Sequence, residues 1–244
     1  MCTLSLGLSD GRSQATELPG PRPMFPVARW LGVLWLAVFV PSYSIVNGPQ
    51  SFLFLCDISV FLVVWGLWRG SALLLSSQAV GCLLVCMLWD VDLVARLLTG
   101  GHLIGGTEYM WDAHKPLFTR LLSVFHAALP LVTLASLRRT GYDRRGLWLQ
   151  SAIAVAAVAT GRLFGPAVNI NFAFRDPILK HSWSPAALHI AVVAGALVLV
   201  AYPLTHALLS RIFAAPPAPC ENLAWQPPRP TCSRATTSRR TSTA

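Results

Sequence analysis

Six runs of apolar residues, separated by short polar stretches, order this chain. Each is about 17–25 residues long, the length a helix needs to cross roughly 30 Å of hydrocarbon. The first, residues 27–46, contains Pro41, which a spanning helix tolerates where neighbours satisfy the freed backbone group. A turn of Asn47, Gly48, Pro49 and Gln50 leads into the second, residues 51–69. Arg69 and Gly70 punctuate, and the third follows over 71–98. Its apolar part ends near Trp89, because Asp90, Asp92 and Arg96 come next. A glycine-hinged loop over 99–116 carries His102, Glu108, Asp112 and His114. The fourth run, 117–137, holds His126 and Pro130. The fifth, 147–164, is rich in Ala and Gly, small residues that let helix backbones approach closely in lipid. A loop over 165–184 carries Asn169, Asn171, Arg175 and Asp176, and the sixth run spans 185–209.

The pattern predicts an all-α fold, a polytopic transmembrane bundle of six helices within residues 27–212. Residues 1–26 are mixed, contain several prolines and lack the order of a signal peptide, so a poorly ordered segment is expected. The tail, 213–244, is rich in Pro, Ser, Thr and Arg and is expected to be disordered.

Composition sharpens this reading. The chain is 54% hydrophobic and 12% charged, with a mean hydropathy of +0.56. Soluble domains carry about 25% charged residues. A net charge of +9 raises nucleic acid as a partner. The basic residues instead sit at the ends of apolar runs and in the tails, as orientation signals do, so membrane lipids are the expected partner and nucleic acid is not. With both termini cytoplasmic, 13 of the 19 Lys and Arg fall on the cytoplasmic side. The loop with Arg138, Arg139, Arg144 and Arg145 points the same way alone. The expected location is the inner membrane of a bacterium. No Cys/His spacing suits a metal, and no cofactor motif is present. The glycine pair at 141–146 lacks the Lys-Ser/Thr of a phosphate loop.

This topology gathers the ionisable groups within the spans toward one leaflet. Cys56 and Asp57 lie in the outer half of the second span. Asp90, Asp92 and Arg96 end the third. His126 lies nine residues into the fourth, about 14 Å deep at 1.5 Å per residue. Asn169, Asn171, Asp176, His181 and His189 belong to the adjoining loop and helix end. Ionisable groups in hydrocarbon cost roughly 2.5–3.5 kcal/mol each on insertion scales, and mark polar cavities or buried pairs. A thiol and an imidazole in one cavity suit acyl transfer, with Cys56 as nucleophile and His126 as base. Asp57 or an asparagine would orient the imidazole. Trp65, Trp68, Trp89, Trp111 and Trp183 read as an interfacial aromatic belt, and Cys82 and Cys86 as packing on one helix face.

A helix that begins Leu53-Phe54-Leu55-Cys56, a later helix with Phe125-His126, a basic loop, and a small-residue helix leading to Asn169-x-Asn171-Phe-x-Phe before Asp176-Pro177 together resemble the YwaF-like family of bacterial integral membrane proteins. That family is related to a eukaryotic transmembrane acyltransferase that uses a Cys/His pair on phospholipid acyl chains. The resemblance spans roughly residues 50–212. It implies Cys56 as nucleophile, His126 as base, and Asn169 and Asn171 as the family's polar motif. Phe54 stands where many relatives carry a histidine, and the loop over 99–116 is longer than theirs. Two other function classes stay open: a small transporter with Asp57, Asp90 and His126 along its pathway, and a non-catalytic membrane scaffold.

Overall fold

The computed structural model describes residues 25–176 and 178–213, and every regular element in them is helical. The expectations for 1–26 and 213–244 fall almost wholly outside these residues. The α-helices are α1 (Ala28–Asn47), α2 (Leu55–Arg69), α3 (Ala72–Thr99), α4 (Leu117–Leu122), α5 (Phe125–Thr140), α6 (Gly146–Gly161), α7 (Ala186–Gly195) and α8 (Tyr202–Ile212). They form six rods. α4 and α5 run on as Leu117–Thr140, a 3-10 turn extends α6 to Phe164, and the π-helical segment Ala196–Ala201 joins α7 to α8. Five rods are long and apolar enough to cross a membrane, with mean hydropathies from 1.4 to 2.2.

The sixth rod departs from the expected continuous helix over 51–69. A 3-10 helix, Pro49–Leu53, comes first, Phe54 is extended, and α2 starts only at Leu55. At 15 residues, α2 is too short alone; it spans about 22 Å, and the 3-10 segment adds roughly 10 Å. Such a break is tolerated at membrane depth only where protein satisfies the freed backbone groups. Here Asn171 does so. Its Oδ1 accepts from the Leu55 N–H (2.8 Å), and its Nδ2 donates to the Leu53 carbonyl (2.7 Å) and the Ala157 carbonyl of α6 (3.2 Å).

α3 is the central rod and packs against α2, α5, α6 and α8. Its core face is unusually polar. Ser76, Ser77 and Gln78 are buried, and Gln78 donates to Gln150 of α6 (3.2 Å), which donates on to Tyr202 of α8 (3.4 Å). The apolar core runs along the bundle and includes Phe39, Leu75, Val80, Phe125 and Leu129. Small residues permit the closest approach. A Cβ on Gly161 would stand 2.5 Å from the Ile170 carbonyl, so only glycine lets the Asn171 turn seat on α6.

The basic loop closes the end opposite Cys56. The Asp143 N–H donates to Ser76 Oγ (2.9 Å), and the hydrogen bond from Arg145 holds the Asp143 carboxyl below its ordinary range. Burial pushes the neighbouring Tyr142 hydroxyl up to about 12; it shares a 2.6 Å hydrogen bond with His206.

Candidate functional site

Six rods that alternate in direction bring the polar residues singled out above to one end of the bundle. Cys56 is half-buried in the first turn of α2, where unpaired backbone N–H groups favour an anion. Asp57 beside it is buried, and its Oδ1 lies 3.9 Å from the Cys56 sulfur.

His126 is buried in the first turn of α5. Its Nδ1 donates to the Ser123 carbonyl at 2.7 Å, since a carbonyl can only accept. In the neutral ring the lone pair therefore sits on Nε2, which is what a general base needs. The ring is sandwiched between Trp89 (centroids 4.4 Å, 12°) and Phe125 (4.3 Å, 21°). The group that orients the imidazole is thus a backbone carbonyl one turn back, rather than Asp57 or an asparagine. No hydrogen bond joins His126 to Cys56 among the described residues.

Four residues that sequence reasoning did not give a chemical role complete the group. Tyr43 of α1 shares a 2.6 Å hydrogen bond with the buried Ser123 hydroxyl. Tyr109, from the 3-10 helix Glu108–Trp111, lies within electrostatic reach of Cys56 and Asp57 and next to Ser123 and Trp89. Burial pushes the Tyr109 hydroxyl well above its ordinary range, so it stays a neutral donor at physiological pH. Trp89, assigned above to an interfacial belt, instead faces His126. The only sequence signal for Ser123 is its spacing of three before His126.

Asp92 organises the loop over 100–116 rather than the reaction group. It is fully buried and accepts from the Ile104 N–H (2.7 Å), the Gly105 N–H (2.9 Å), the Thr107 hydroxyl and His102 Nδ1 (3.0 Å). Arg120 ties the Met110 carbonyl (2.7 Å), and Lys115 reaches Asn47 of α1 (2.8 Å), so the loop is strapped across the end of the bundle. Arg96 stacks over Trp111 at 5.4 Å instead of pairing with Asp92. Asp90 is half-buried and has no hydrogen bond or ion pair among the described residues.

The two asparagines divide their work. Both sit in the left-handed region, φ 47° and 49°, which Asn tolerates better than most residues. Asn169 holds its own turn, accepting from the Phe174 and Arg175 N–H groups at 2.9 and 3.1 Å. Asn171 caps α2 one residue before Cys56. His189 is buried and donates from Nε2 to the Phe172 carbonyl (2.9 Å), bracing the same turn.

Two clefts flank this end. One of about 180 Å³ lies between the loops, lined by Gly106, Glu108, Asn169, Phe172, Arg175, Asp176 and Lys180. The other, about 470 Å³, is a lipid-type groove lined by Val155 and aliphatic or small residues of the Ala186–Ile212 rod, and holds no reactive group.

No protein-family model, curated protein or solved structure matches the chain. Fold and site together define a multi-span helical membrane protein with a half-buried thiol and a buried carboxyl, phenol and imidazole at one end of the bundle.

Proposed function

We propose that the protein is a membrane-embedded acyl-transfer enzyme acting on lipid acyl groups, with Cys56 as nucleophile and His126 as general base. The observation that carries this reading is the His126 hydrogen bond to the Ser123 carbonyl, which leaves Nε2 as the basic nitrogen at the same end of the bundle as a helix-start thiol. Catalytic hydrogen bonds often tighten only with substrate bound, so the missing Cys56–His126 bond does not weigh against it. His126 takes the thiol proton, sulfur attacks the acyl carbonyl carbon, and the ester C–O bond breaks. The leaving alcohol takes the proton back from His126. Water or a lysolipid hydroxyl then receives the acyl group.

The Lys/Arg asymmetry supports cytoplasmic termini, an outer-leaflet site and a bacterial inner membrane. Membership of the YwaF-like family belongs to this proposal and rests on the motifs at Cys56, His126, Asn169 and Asn171. The test is labelling of intact cells and vesicles with a lipid-like, thiol-reactive acyl probe. With the label mapped by peptide, wild type is expected to label at Cys56, Cys56→Ala to lose that labelled peptide, and His126→Ala to label at Cys56 about 10²-fold more slowly, the scale of a lost general base. Wild type that takes no label at Cys56, or labelling there that is as fast in His126→Ala, sinks the reading.

One observation favours a second reading, proton-coupled transport: buried Asp57 sits at a broken helix, as ion sites in transporters do. It predicts uptake that vanishes in Asp57→Asn and survives in Cys56→Ala.

A further inference from the structure

We propose that the cleft of about 180 Å³ between the two loops binds the headgroup of an ethanolamine phospholipid, its phosphate against Arg175 and Lys180 and its ammonium against Glu108 and Asp176. This binding does not depend on the acyl-transfer reading; the same cleft would hold the same headgroup in a transporter or a scaffold. Four charged side chains line it, two of each sign. A ligand with one charge of each sign matches such a lining, whereas a purely anionic one meets two carboxylates. Lys180 Nζ and Glu108 Oε1 stand 3.7 Å apart, beyond hydrogen-bond distance, and both side chains are half exposed. An exposed pair of this kind contributes little, so a ligand can exchange for it. An ammonium with N–H groups donates to both carboxylates, which a choline headgroup cannot do.

The loops hold these charges in place. Arg175 Nε donates to the Lys180 carbonyl (3.0 Å), and the two terminal nitrogens of its guanidinium have no partner among the described residues. That fork suits a phosphate. Asp176 Oδ1 accepts from the Ile178 and Leu179 N–H groups (2.9 and 2.6 Å), while its Oδ2 has no partner among the described residues. Glu108 Oε2 accepts from the Gly106 N–H (2.6 Å), and its Oε1 meets only Lys180. A second observation points to a lipid. Ile178 and Leu179, between Asp176 and Lys180 in the same loop, are both exposed, as is Phe172 on the cleft wall. Exposed apolar side chains around a polar site mark a membrane-facing surface. They fit a molecule with a charged head and apolar chains, and a soluble zwitterion has no use for them.

The experiment reads binding and not catalysis. The purified full chain in detergent micelles is given dioleoyl phosphatidylethanolamine, phosphatidylglycerol and phosphatidylcholine at equal concentration, and the bound lipids are counted by native mass spectrometry. The ethanolamine lipid is expected to bind about tenfold more tightly than either of the others, the scale of one hydrogen bond to a charged group. The double variant Glu108→Gln, Asp176→Asn keeps acceptors for the Gly106, Ile178 and Leu179 amides. It should erase the preference by weakening the ethanolamine lipid alone. Arg175→Gln should weaken all three lipids, since each carries the phosphate. No preference in wild type, a preference intact in the double variant, or wild-type binding in Arg175→Gln overturns the proposal. Equal weakening of all three lipids in the double variant also overturns it, because the carboxylates would then serve the loop and not an ammonium. O-Phosphoethanolamine, which has both charges and no chains, is expected not to displace the lipid at equal concentration; displacement would assign the cleft to a soluble ligand.

Discussion

Asn171 turns a break in a helix into a satisfied joint. Its amide replaces a backbone acceptor for Leu55 and a donor for Leu53, 2.8 and 2.7 Å away. Each buried group left unpaired costs about 1–3 kcal/mol. Asn171→Ala is therefore expected to lower stability by about 3 kcal/mol, and Asn171→Asp, which sets a carboxylate oxygen against the Leu53 and Ala157 carbonyls, by at least as much. Unfolding of the purified protein in increasing SDS checks this; equal midpoints for wild type and Asn171→Ala would remove Asn171 from the α2 joint. The sequence marks Asn171 as a polar residue near the Cys56 end. It could not name the partner, because the groups it serves lie 116 and 118 residues upstream and meet it only once α6 seats the turn. The same limit hid the Trp89–His126 stack: both residues were visible, but a ring facing lipid and a ring facing another helix read alike along a sequence.

Among elements, the apolar runs located all six rods to within a few residues, because hydropathy over 20 positions is decided by the bilayer and little else. The interruption at Phe54 left no such trace. Residues Phe52 to Leu55 contain neither Gly nor Pro, so nothing local distinguishes a break from a continuing helix. The loop over 100–116 was legible as polar and glycine-hinged, though not as a strap built on Asp92. Asp92→Ala is expected to release it. The Ile104 and Gly105 amides, which donate to Asp92, should lose hydrogen-exchange protection while amides within α3 keep theirs. Unchanged protection would show that Arg120 and Lys115 hold the strap alone. Acid should loosen it as well. Burial pushes the Glu108 carboxyl up, but N–H groups from its own backbone and Gly106, with Lys180 opposite, bring it below its ordinary range. A depressed carboxylate adds stability above the ordinary range, about pH 4.3, and loses it as pH falls through the lower folded value. Protection around residue 106, relative to the intrinsic exchange rate at each pH, should accordingly fall on acidification in wild type and change less in Glu108→Gln.

For the whole molecule, alternating rods put the Cys56 group and the Arg138–Arg145 loop at opposite ends, so one orientation decides where the chemistry faces. The basic loop holds four arginines against Asp143, whose carboxylate is already paired with Arg145 at 2.8 Å. Short loops of this charge are retained on the cytoplasmic side. In the proposed orientation the strap between α3 and α4 faces outward, and Cys56 opens toward the outer leaflet. In a cysteine-free background, Ala113→Cys, on the exposed outer strap, is expected to react with a membrane-impermeant maleimide on intact cells. Arg144→Cys, at the basic end, should react only after permeabilisation. The reverse pattern would invert the bundle and move the thiol to the cytoplasmic leaflet, where a different lipid pool would meet it. Replacing Arg138, Arg139, Arg144 and Arg145 with Gln should leave both sites partly labelled in intact cells, since Arg69 and Arg29 near the same end still favour the original orientation. A population that stays wholly in one orientation would transfer the signal to those two arginines and the chain's tails.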